Sequence, residues 1–122
     1  MPRWWRRLAL ALLFATAGSM SAQAHARLER TVPAAGSTVH VAPEWIELLF
    51  SETPEAVFSR IEVLDQKGEH IEEGKPKIQS GNGKVLRIAL KPITAGTYKV
   101  TWRVFSVDTH LSSGSFSFTV AP

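Results

Sequence analysis

Two short stretches of this sequence carry metal-binding residue types at spacings that bring them together. One is Asp108-Thr109-His110, inside the segment SVDTH. In extended backbone, positions i and i+2 project to the same side, so a carboxylate and an imidazole at this spacing face one ion. The same tripeptide also reads as a solvated loop in which Asp108 caps a turn and His110 is merely exposed. The other stretch is His25, which directly follows Ala22-Gln23-Ala24. If the chain is cut after Ala24, the new α-amine and the imidazole of His25 chelate one ion together. The amine, with a reference pKa of about 7.7–8.0, yields its proton to a strongly bound metal near neutral pH, and the ring nitrogen does so more easily. An N-terminal histidine also arises by accident of where a leader is removed.

Together the two stretches supply three nitrogens and one carboxylate oxygen. This set suits the square-planar or tetragonal geometry of Cu(II) or Ni(II), and Cu(II) is the tightest binder of the divalent series; Zn(II) accepts the same ligands. Four donors from the protein leave few open positions, which favours storing, buffering or passing on an ion over catalysis at it. Cysteine is absent, and the two methionines, Met1 and Met20, both precede His25. Beyond residue 24 there is thus no sulfur with which to select Cu(I) and no disulfide framework.

The cut that would create the amine is signalled by the first 24 residues. Arg3, Arg6 and Arg7 precede an apolar run from Leu8 to Gly18, 11 residues long, and small residues close the segment at Ala22 and Ala24. This is the pattern of a secretory signal peptide over residues 1–24, cleaved after Ala24, with a single domain over residues 25–122. The competing reading, a retained membrane anchor, needs about 20 apolar residues and a charged stop, and the run has neither. The pair Arg6-Arg7 by itself does not distinguish twin-arginine from general export. The three leader arginines account for the whole formal charge of +3, so the remainder is neutral. A neutral domain lacks the basic patch that nucleic acid or an anionic membrane surface requires, which excludes both as partners.

The elements that must position these residues are strands. From Glu44 onward, short segments alternate apolar and polar residues between turn signals, the pattern of half-buried antiparallel strands. Ile46, Leu48 and Phe50 share one strand face, and Ile61 and Val63 another. The DQKG segment at 65–68 reads as a turn between hairpin arms, and Gly81-Asn82-Gly83 as a second hairpin turn. Tyr98, Val100, Trp102 and Val104 lie on one face of the longest strand, with Asp108 and His110 just past its end. Phe116, Phe118 and Val120 line one face of the last. With short strands near 27–31 and 38–41, the expectation is an all-β, immunoglobulin-like Greek-key sandwich of about seven strands. Trp45, Phe50, Phe58, Trp102, Phe116 and Phe118 are the expected aromatic core, standing in for the missing inter-sheet disulfide.

The residues also resemble a known family. The start HARLERTVPAAGS, the strand ELLFSE ending at Glu52, the segment from Phe58 to Val63 and above all TAGTYKVTWRVFSVDTHLSSGSFSFTV are similar to the CopC family of periplasmic copper-binding proteins, over essentially the whole length beyond residue 24. The resemblance implies one Cu(II) ion per chain, held by the amine and ring of His25 with Asp108 and His110. It also implies a place for Glu52 beside the site, either as a weak ligand or as the acceptor of an imidazole N–H. Some members carry a Met-rich Cu(I) site, and the absence of methionine beyond residue 24 implies a Cu(II)-only member. The implied partner is an inner-membrane copper transporter of the CopD type, the implied location the periplasm, and the implied role copper tolerance or delivery without enzymatic activity. His40 and His70 fall outside the matched positions and read as surface histidines.

Two other function classes fit parts of the sequence. A copper monooxygenase also uses an N-terminal histidine brace on such a scaffold, but here Asp108 would fill a position that O2 activation needs open. A metal-free interaction module would show no stoichiometric Cu(II) uptake.

Overall fold

The structure, a computed structural model, describes residues 26–122. They form eight strands: β1 (Leu28–Val32), β2 (Thr38–Val39), β3 (Trp45–Phe50), β4 (Arg60–Leu64), β5 (Glu72–Gln79), β6 (Asn82–Leu90), β7 (Gly96–Phe105) and β8 (Leu111–Val120). A 3-10 turn at Ala56–Phe58 precedes β4. The strands make two four-stranded sheets, ordered β1-β3-β6-β5 and β2-β8-β7-β4. The all-β sandwich expected from the alternation is therefore present, with eight strands where about seven were expected, the smallest of them the two-residue β2.

Period-two burial decides which residues fill the space between the sheets. In β7, Val100 and Val104 are completely buried, Tyr98 and Trp102 nearly so, and Thr97, Lys99, Thr101 and Arg103 face outward. Ile46, Leu48 and Phe50 enter the core from β3, Leu86 and Ile88 from β6, and Phe118 from β8. Phe50 meets Trp102 edge to face at 5.3 Å between ring centroids, and Tyr98 stacks on Phe118 at 5.5 Å. The Phe50–Trp102 contact joins the two sheets, as the disulfide does in an antibody domain, while Tyr98 and Phe118 are cross-strand partners within one sheet.

Gly114 stands opposite Trp102 in the β7–β8 ladder. A Cβ on Gly114 would lie 2.7 Å from Trp102 Cζ2, so the absence of a side chain there makes room for the indole. Gly114→Ala is expected to cost about 1–3 kcal/mol through overpacking, because the ring is held against Phe50 and has nowhere to move. Equilibrium urea unfolding checks this, and a midpoint equal to that of the unsubstituted protein would refute it.

Three expectations require correction. Trp45 is not core: it is half-buried on the outer face of its sheet, where the Arg87 guanidinium lies 4.0 Å over its ring and also pairs with Glu47 at 3.9 Å. Phe58 is not core either, being 68% exposed at the end of the 3-10 turn. The DQKG segment does not join two paired strands, since β4 pairs with β7 and β5 pairs with β6 in the other sheet. The turn itself forms, with Asp65 Oδ1 accepting from the N–H groups of Lys67 and Glu69 at 2.9 Å, but after one bridge between Leu64 and His70 the chain crosses between sheets. The second expected hairpin, β5–β6, is real and turns at residues 80–81, where Gly81 has a φ of +84°.

The crossover from β4 to β5 is pinned by one carboxylate. Val63 N–H donates to Glu72 Oε2 at 2.9 Å, while Glu72 Oε1 lies 2.7 Å from His70 Nδ1. Ile71 N–H donates to Val63 O at 2.9 Å. Partial burial acts to raise the Glu72 pKa, but the N–H donors of Val63 and Glu72 itself, with His70, outweigh it and hold the carboxyl below its ordinary value. His40 and His70 are both exposed, as expected, and His70 has Glu72 as a partner that the sequence did not announce.

Candidate metal centre

β7 and β8 form a hairpin whose connection, residues 106–110, carries both metal-ligating types of the SVDTH segment. It is a tight turn rather than the extended run that the i, i+2 argument assumed. Thr109 N–H donates to Ser106 O at 2.9 Å, and Ser106 N–H donates to His110 O at 3.0 Å. Thr109 takes a φ of +69°, a conformation uncommon for a β-branched residue. Its hydroxyl donates to Asp108 O at 2.6 Å.

The two side chains nevertheless meet. His110 Nδ1 lies 3.1 Å from Asp108 Oδ2, with the imidazole 44% and the carboxylate 37% exposed. The other carboxylate oxygen, Oδ1, accepts from the buried hydroxyl of Ser106. That hydrogen bond, followed by the one from His110, holds the Asp108 carboxyl below its ordinary pKa. Asp108 is therefore an anion at neutral pH with one oxygen engaged and one turned to the imidazole.

This pair fits two adjacent ligands of one ion. Nitrogen and carboxylate donors sit about 2.0–2.2 Å from a first-row divalent metal, so two of them at a right angle are about 2.9 Å apart. The observed 3.1 Å is close to that span. Among the described residues, no group of three or more His, Cys, Asp or Glu side chains converges, so the pair needs donors from elsewhere. His25, the expected source of two nitrogens, lies outside the described residues.

The elements beside the loop are the start of the described chain and the segment after β3. Arg27 N–H donates to Ser51 Oγ at 2.8 Å and Ser51 N–H donates to Arg27 O at 2.8 Å, while Ala26 is 2% exposed in the core. Two residues further on, Val107 N–H donates to Thr53 O at 2.9 Å, and Pro54 bridges Ser106. The chain therefore enters the fold at the end of the sandwich that carries the Asp108–His110 turn. Glu52 sits between these two attachments with an exposed side chain.

Two features of this end were not anticipated. One is Ser106, within SVDTH, whose sequence signal is a serine at the next inward position after Tyr98, Val100, Trp102 and Val104. The second is a pair of exposed apolar side chains, Phe58 and Val107, beside the turn. A hollow of about 260 Å³ opens there, lined by Glu55, Phe58, Phe105, Ser106, Val107 and Thr109. Among the described residues no helix is long and apolar enough to cross a membrane.

Comparison with known proteins bears on the whole of this arrangement. Residues 28–121 match the family model of the CopC domain. Among solved structures, CopC from Methylosinus trichosporium OB3b superposes with a TM-score of 0.74 at 31% identity, covering 80% of this chain and 95% of that one. PcoC, a methionine-rich copper resistance protein from Escherichia coli, superposes with a TM-score of 0.69 at 37% identity, covering 80% and 99%. The copper transport protein CutJ of Bacillus subtilis is 30% identical over 119 residues, which are 97% of this chain but 21% of that longer protein. On this footing the chain belongs to the CopC family of copper resistance proteins.

Proposed function

We propose that the processed protein, beginning at His25, is a periplasmic carrier that holds one Cu(II) ion between the amine and ring of His25, the Asp108 carboxylate and the His110 imidazole. The observation that carries this reading is the Asp108–His110 pair, 3.1 Å apart and turned toward each other on a pinned turn. It stands at the end of the sandwich where Arg27 is fastened to Ser51, two residues after His25 in the chain. Glu52, between the two attachments, acts as the acceptor of an imidazole N–H rather than as a principal ligand. Such acceptors fix ring orientation and tune the basicity of the ligand.

The donor set accounts for a carrier rather than an enzyme. Three nitrogens and a carboxylate fill the plane that Cu(II) prefers and leave little room for a reacting molecule. With no sulfur beyond residue 24, the site discriminates against Cu(I), unlike a methionine-rich relative. The receiving partner is a membrane copper transporter of the CopD type. In support, CutJ contains a region like this chain within a protein about five times as long. Phe58 and Val107, exposed beside the turn, offer such a partner an apolar surface to cover.

The test is a Cu(II) titration of protein beginning at His25, followed by EPR. One equivalent is expected to enter an axial, nitrogen-rich site. Failure to take up a stoichiometric ion would leave a sandwich domain without the proposed role.

A further inference from the structure

Ser106 is 1% exposed, and with Thr31 it is one of two buried polar side chains in the described residues. It occupies the inward position that follows Tyr98, Val100, Trp102 and Val104, where the alternation of β7 calls for another apolar residue. A hydroxyl at such a place costs free energy unless it is bonded. Its Oγ has two acceptors in reach: Asp108 Oδ1, and His110 O at 3.3 Å. A serine hydroxyl has only one proton, and a carboxylate is the stronger acceptor. The proton therefore goes to Asp108.

The consequence is directional. With Oδ1 held from inside the fold, the carboxylate plane is fixed and Oδ2 is presented to His110 Nδ1. The backbone of the same serine closes the turn from both sides, its N–H on His110 O and its carbonyl on Thr109 N–H. One buried residue thus sets the positions of both candidate ligands.

We propose that Ser106 is a positioning residue: its buried hydroxyl fixes Asp108 as a one-oxygen donor through Oδ2 and sets the Asp108–His110 pair before any metal arrives. This rests on the reading of Asp108 and His110 as copper ligands. It adds to that reading a residue that touches no metal and a statement about the metal-free state.

The test compares Ser106→Ala with the unsubstituted protein, both beginning at His25, first without metal and then with Cu(II). In the metal-free proteins, backbone 15N relaxation at residues 107–110 is expected to show a rigid turn when Ser106 is present and lower order parameters in Ser106→Ala, with the rest of the sandwich unchanged. With Cu(II), Ser106→Ala is expected to bind about 10- to 100-fold more weakly, the usual loss when the partner of a ligand is removed. Its EPR hyperfine splitting should change. In an Asp108→Ala background the Ser106→Ala substitution should have no further effect on affinity, because the residue it acts through is gone.

An equally ordered turn with unchanged affinity and spectrum in folded Ser106→Ala overturns the proposal. So does an affinity loss of the same size in the Asp108→Ala background, which would mean that Ser106 acts on the fold at large. If the unsubstituted protein takes up no Cu(II), the copper reading itself fails. The metal-free relaxation comparison then decides the role of Ser106 alone, loss of order supporting it and retained order overturning it.

Discussion

Protein carrying a single extra residue ahead of His25 is expected to lose tight Cu(II) binding while keeping its fold and thermal stability. The extension turns the α-amine into a peptide amide, which is neither basic nor free to chelate, and so breaks the ring formed by amine and imidazole. Four-ligand structural zinc sites in small domains are worth about 10–16 kcal/mol, or about 2.5–4 kcal/mol per donor, and the same scale serves here. At 1.4 kcal/mol per factor of ten, one lost donor weakens binding by about 10²- to 10³-fold. Loss of the amine together with its chelate ring should reach at least the upper end of that range. Competition titration against a chelator of known affinity measures it. Equal affinities for the two forms would remove the amine from the ligand set and leave the site to be redrawn around Asp108 and His110.

The second large effect is expected of His110→Ala. The imidazole lies at the mouth of the turn, half exposed, and contributes nothing to the core. Its removal should leave unfolding unaltered and lower Cu(II) affinity by about 10²- to 10³-fold on the same arithmetic. The EPR spectrum should lose the couplings of one nitrogen. Glu52→Gln should change affinity far less; a loss as large as that of His110→Ala would make Glu52 a ligand. Binding should weaken as pH falls, because protons compete for the amine and both imidazoles. A native-like spectrum from His110→Ala would exclude this histidine from the site.

The sandwich was legible because period-two alternation is a direct consequence of strand geometry, and β3, β7 and β8 carry it over six to ten residues. The aromatic core was partly misread because residue type was allowed to outrank parity. Trp45 has the opposite parity to Ile46, Leu48 and Phe50 and so had to face outward, where Arg87 covers it. Phe58 precedes β4 in a 3-10 turn, for which alternation makes no statement. The sheet switch after DQKG was hidden for another reason. A turn sequence states that the chain reverses, not which strands will pair, and the long-range partners β7 and β6 decide that.

At the candidate site, the pairing of Asp108 with His110 was foreseen, but through the wrong backbone. Extended i, i+2 geometry was assumed, whereas the side chains converge through a turn with a left-handed Thr109. The Asp-x-His spacing conveyed proximity; the role of Ser106 lay instead in the parity of β7, which carries its inward face to the next such position after Val104, a buried hydroxyl. His25 lies outside the described residues, and the nitrogens expected from it remain part of the proposal.

The carboxylate that pins the crossover between sheets has a consequence for how copies of this protein meet. β4 is the last strand of its sheet, and an exposed strand edge is a template on which another chain can add a strand and begin to aggregate. Glu72 occupies the Val63 N–H in the middle of that edge, and Ile71 N–H takes the Val63 carbonyl. The guard is electrostatic, because it works as an anion. Since the folded pKa of Glu72 lies below its unfolded value, its contribution is complete above the unfolded pKa and lost as pH falls through the folded one. As pH falls through that range the bond from the Val63 N–H to Glu72 weakens, while the Ile71 N–H, which does not titrate, keeps the Val63 carbonyl covered.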